Sequence, residues 1–123
     1  MAVATDSTPA PGRDLLAPAE IGSMSVIELA ALYDVLRTGH EVMLGMMAQP
    51  RMTSKVDRHV EKITNQIFWR MDQIAKDVRS RVPTTESECN RRVEVVVGHE
   101  LMCGEVENAA AAMAELSRSL RKH

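Results

Sequence analysis

Val95, His99, Met102, Val106, Ala109, Met113, Leu116 and Leu120 follow one another at spacings of 4, 3, 4, 3, 4, 3 and 4. This is an unbroken heptad seam, and a chain that carries one must bury a stripe of helix against neighbouring helices. The seam predicts one helix over about residues 85–121, opened by Thr85 and Glu88 at capping-box spacing and closed by the basic end Arg118, Arg121 and Lys122. Cys89, Val93, Val96, Cys103 and Ala110 add a second apolar stripe to one side, so the first half of this helix expects two neighbours. Gly98 and Gly104 each cost about 1 kcal/mol relative to alanine inside a helix. Either a neighbour packs tightly there, or the helix bends around His99.

Two further helices precede it. Ser25 and Glu28 have capping-box spacing and Met24 with Leu29 fits a hydrophobic staple, so a helix runs over about 25–48, carrying Leu29, Leu32, Leu36, Met43 and Met46 and stopped by Pro50. Thr53 or Ser54 caps the next, which carries Val56, Val60, Ile63, Ile67, Met71, Ile74 and Val78 and ends near 82, ahead of Pro83. The short turn at Pro83 and Thr84 makes the second and third helices antiparallel. The expected fold is all-α: an up-down-up three-helix antiparallel bundle (25–48, 54–82, 85–121), one helical domain over 23–123, completed by dimerisation. Residues 1–22, with Pro9, Pro11, Gly12 and Pro18, are expected to form a disordered arm from which Leu15, Leu16 and Ile21 can dock.

Depth along such a bundle follows from counting back from the turns. His99 falls level with Phe68 and Trp69, and with the stretch from Tyr33 to Leu36. The third helix outruns the second by about eight residues, which leaves Leu116 and Leu120 overhanging beside the methionines near Pro50. An overhang of that kind predicts self-association or a partner.

Composition narrows function further. Nine methionines accompany one tyrosine, one phenylalanine and one tryptophan, so the core is aliphatic and soft, and there is no platform for stacking bases. Residues 49–82 hold eight basic against four acidic side chains, but their signs interleave, and Asp72 with Lys76 and Asp77 with Arg81 have helix-stabilising order. A nucleic-acid binder using Arg58, Lys62, Arg70, Lys76 and Arg79 is the third reading. Cys89 and Cys103 lie about 21 Å apart on one helix, too far for a disulfide, and read as free thiols of a reducing compartment. The first 22 residues lack an apolar core of signal-peptide length and no apolar run is long enough to span a bilayer, so a cytoplasmic protein without membrane contact is expected.

The chemically suggestive residues are His99, Glu100 and Cys103, which invite comparison with the His-Glu-x-x-His helix of zinc proteases, here with cysteine as the second ligand. The His-x3-Cys spacing also resembles the metal pair of the all-helical copper-sensing repressors. Their remaining cysteine comes from another helix, whereas Cys89 shares the helix of His99. His40 and His59, with Glu41 and Glu61, make a second candidate metal set, and Met43, Met46, Met47 and Met52 are soft ligands of the kind that select Cu(I). Against these stands a plainer expectation: His99 is a buried histidine hydrogen-bonded across the interface, and the methionines are core. No catalytic set and no phosphate loop can be assembled.

The function expected from sequence is a non-enzymatic helical interaction module, a homodimer, adaptor or inhibitor of another helical protein, with no cofactor. Its contact residues are Met43, Met46, Met47, Met113, Leu116 and Leu120. The alternative is a metal- or redox-responsive regulator using His99 and Cys103.

Overall fold

A computed structural model describes the backbone of residues 15–50 and 53–121, with side chains as far as Ser117. It is all-helical, with no strand among the described residues: α1 (Pro18–Ser23), α2 (Val26–Met47), α3 (Ser54–Ser80), α4 (Glu86–Met102) and α5 (Val106–Arg121). The expected all-α class holds, with five helices in place of three. The two additional elements arise at the chain's start and at Gly104.

The caps fall where their chemistry places them. The Ser25 hydroxyl accepts from the Glu28 amide at 3.1 Å, and the Glu28 carboxylate accepts from the Ser25 amide at 2.9 Å. Thr53 caps α3 and Thr85 caps α4, each accepting from the amide three residues on. The second capping box is only half formed, because Glu88 turns its carboxylate to the backbone and hydroxyl of Thr84.

α2 packs along α3, and α4 packs on both. The Thr64 hydroxyl lies 3.9 Å from the Met47 sulfur, and a Cβ placed on Gly39 would sit 3.9 Å from Ile67. Position rises along α2 as it falls along α3, so the pair is antiparallel. The core they enclose holds Leu29, Tyr33, Met71, Ile74, Val78 and Val95.

The expected arm overruns its true end. Leu15–Ala17 and α1 are ordered against α3, because Pro18 sits in the first turn of α1, where its missing N–H leaves no partner unsatisfied. The Gln73 amide grips the backbone of Leu16 at both ends, donating to its carbonyl and accepting from its N–H, each at 2.8 Å. The Arg81 guanidinium donates to the carbonyls of Ile21 and Met24 at the end of α1. The portion of the arm over residues 1–14 lies outside the described residues.

The expected third helix is broken at Cys103–Glu105. Gly104 has φ +77°, its N–H donates to the Leu101 carbonyl at 3.0 Å, and the Glu105 N–H donates to the Glu100 carbonyl at 2.9 Å. That pair of bonds is a Schellman ending, which a glycine in the left-handed region permits. α5 then folds back along α4 until Glu115 meets Arg79 of α3 at 3.0 Å. Leu116 accordingly does not overhang; it is 1% exposed and belongs to the core, with Ala109 and Ala112.

Candidate functional site

Of the residues that sequence singled out for chemistry, His99 alone lies at a buried point where three helices meet. His99 reaches from α4 between α2 and α3 and is 4% exposed. Its Nδ1 lies 2.8 Å from the Tyr33 hydroxyl of α2, and its Nε2 lies 3.1 Å from Asp72 Oδ1 of α3. Phe68 stacks on the ring with centroids 5.6 Å apart, and Tyr33 meets it edge-on. Lys76 holds the other Asp72 oxygen at 3.0 Å.

The protons are fixed by what each partner can do. Burial raises the Asp72 carboxyl, but hydrogen bonds from Lys76 and His99 outweigh it and hold the group below its ordinary value. An ionised carboxylate only accepts, so Nε2–H donates to Asp72. In the neutral ring Nδ1 then accepts from Tyr33, whose phenol is pushed up to about 12, chiefly by burial. The result is a satisfied polar clamp joining three helices.

Both ring nitrogens are engaged, and the adjoining cavity of about 60 Å³ is well below the size of a small-molecule site. Cys103 lies 3.8 Å from Nε2, the nitrogen already committed to Asp72. Although the residue as a whole is exposed, its thiol is pushed up by the partial shielding of the sulfur beside His99 and then by the carboxylates of Asp72, Glu100 and Glu105, the reverse of what a nucleophilic thiolate requires. Among the described residues no three of His, Cys, Asp and Glu converge to hold a metal ion. His40 packs against Phe68, with burial lowering its pKa against the opposing pull of Glu41, and His59 is exposed on α3. Met52 lies outside the described residues.

Several charged groups elsewhere are paired with one another. A cleft of about 430 Å³ lies between α2, α4 and α5, lined by Arg37, Arg91, Glu94, Gly98 and Met113 among others. Arg91 pairs with Asp34 at 2.7 Å and Glu94 at 2.6 Å, and Arg37 pairs with Glu41. On the face expected for nucleic acid, Lys76 is held by Asp72, and Arg79 by Glu115 and Glu100. Cys89 and Cys103 are both free, the first buried and the second exposed. Among the described residues no helix is long and apolar enough to cross a membrane.

One uncovered surface is apolar. His99 sits level with Asp72, and α4 ends one turn later at Met102, while α3 extends back from Asp72 to Ser54. The hairpin of α2 and α3 therefore outruns α4 by roughly 20 Å. Because α5 turns back, nothing in the described chain continues alongside that end. Val42, Met46, Val56 and Ile63 are about half exposed there. By helical phase they share the hairpin flank that faces away from α4, since the contacts with α4 fall on the Tyr33 side of α2 and the Asp72 side of α3. Of the contact residues expected from sequence, Met46 and Met113 are exposed and Met43 and Met47 are half-buried. Leu116 is unavailable, and the side chain of Leu120 lies outside the described residues.

Compared with known proteins, the chain matches no family model, no curated protein and no solved structure.

Proposed function

We propose that the protein is a non-enzymatic helical interaction module that works as a homodimer in the cytoplasm, pairing through the uncovered end of the α2–α3 hairpin. The up-down-up bundle of α2, α3 and α4 serves as the scaffold. The single observation that carries the reading is the flank of Val42, Met46, Val56 and Ile63, half exposed on two helices that extend past their third neighbour.

A second copy is the occupant that fits this flank. Two helical hairpins that each lack cover on one side complete a four-helix bundle when related by a two-fold axis. The hairpin end carries Lys55, Arg58 and Lys62 beside Asp57 and Glu61, so a copy of itself meets charges of both signs. Residues 1–14 carry Met1, Val3, three alanines and two prolines as apolar side chains, a poor match for a flank of valine, isoleucine and methionine. Burying the half-exposed side chains of both copies contributes on the order of 1 kcal/mol apiece. Association itself costs about 4–15 kcal/mol, which makes the pairing concentration-dependent.

The test is a light-scattering mass after size exclusion, over a concentration series into the hundred-micromolar range. A dimer that dissociates on dilution is expected, and Ile63→Asp with Met46→Asp should be monomeric at every concentration while keeping its helical signal. A wild type that stays monomeric throughout sinks the reading.

A further inference from the structure

α5 has two places to dock in this chain, and the folded-back one satisfies only part of its apolar seam. Ala109 and Leu116 are buried against α4, but Val106 is 66% exposed and Met113 49% exposed. These four residues continue the heptad spacing of Val95, His99 and Met102 without a skip across the turn. Were residues 103–105 helical, Val106, Ala109, Met113 and Leu116 would lie in line with His99, on the side that α4 turns to α2 and α3. The helix would then run along the uncovered hairpin end. It would meet His40 and Leu44, which stand seven and eleven residues beyond Tyr33 on the same face of α2, and Phe68, one turn before Asp72 on α3. Leu44 is half exposed in the folded-back state.

The turn that selects between these positions is held by one residue. Gly104 is the one residue with positive φ among those described, and a Cβ there would meet nothing within 4 Å, so no packing contact enforces the turn. Cys103, Gly104 and Glu105 are all exposed. The geometry points to Gly104 as the hinge of a two-state switch: α5 either folds back on α4, or extends as one helix with it and covers the α4-side flank of the hairpin end. Extension uncovers Val93 and Val97, which now line the cleft with Met113. This switch uses the opposite flank of the hairpin from the proposed dimer contact, so either can fail without the other.

Nitroxide labels on Lys55→Cys and Ala114→Cys, in the full chain with Cys89→Ala and Cys103→Ser, read the two states by distance. Folded back, residue 114 lies beside Arg79, 24 residues along α3 from Lys55, a separation of about 36 Å. Extended, it lies fifteen residues beyond His99, which brings it level with Asp57 and roughly one interhelix spacing, about 10 Å, from α3. Gly104→Ala disfavours the left-handed turn and should move the population to the short distance, while Gly104→Asn, which tolerates that turn, should keep the long one. Leu44→Asp should return the alanine variant to the long distance. The switch is overturned if Gly104→Ala retains only the long distance, or loses helical signal instead of extending the helix.

Discussion

The Tyr33 hydroxyl lies 2.8 Å from His99 Nδ1, a contact between α2 and α4 with both side chains almost wholly buried. Tyr33 is the one tyrosine in the chain, so alkaline titration followed by tyrosinate absorbance reads this site alone. The midpoint should fall near 12 in place of the ordinary 10. Because the folded value is raised, the associated stability is complete below pH 10 and is lost as pH rises towards 12. Tyr33→Phe should remove that alkaline slope, a difference on the order of 2–3 kcal/mol between the two ends of the window.

At the other end of the clamp the sign reverses. Asp72 is held below its ordinary value in the folded protein, although burial alone would raise it, because Lys76 and His99 donate to it. Its contribution is present above the unfolded carboxyl value of 3.8 and is lost as pH falls through the lower folded one. Asp72→Asn still offers His99 an acceptor but no charge, so denaturation at neutral pH should show a loss of about 1 kcal/mol. That loss should shrink on acidification; an Asn variant that parallels the wild type at every pH would dissociate Asp72 from the clamp.

Much of this clamp is legible in the sequence. Counting residues from the turns brings His99 level with Phe68 and Tyr33, and the periodicity fixes which side of each helix is apolar. Asp72 escaped because its i,i+4 partner Lys76 already accounts for it as a surface pair; the available signal was its position one turn after Phe68. The break at Gly104 was not legible, because the heptad pattern continues through it and a glycine inside a helix costs only about 1 kcal/mol. The fate of Leu116 depended on that single turn. α1 was hidden by Pro18, which reads as a breaker but also suits a first helical turn.

Residues 15–23 are tied down by Ile21, which is buried in the core with Leu16 packed beside it, and by polar contacts to Gln73 and Arg81. Gln73→Leu removes both hydrogen bonds to the Leu16 backbone, and the freed amide and carbonyl turn to water. Local opening is therefore expected before global unfolding. Hydrogen exchange at Leu16 should lose its protection, while the amides of Met71 and Ile74 exchange as in the wild type. Loss of protection across all of α3 would show the segment to be integral to the core.

Leu116 and Met113 share α5 but stand on opposite sides of its packing boundary, the first 1% and the second 49% exposed. Leu116→Ala deletes buried volume and should cost about 2–5 kcal/mol. Met113→Ala should stay within roughly 0.5 kcal/mol, as surface changes do. The larger loss need not appear as one cooperative shift, because α5 joins the rest of the fold through an exposed glycine turn and one helix face. Chemical denaturation followed by far-ultraviolet circular dichroism should then show an early helical phase in Leu116→Ala, with the Tyr33–His99 contact still intact by tyrosinate titration. If the two substitutions destabilise equally, α5 does not hold the folded-back position through Leu116.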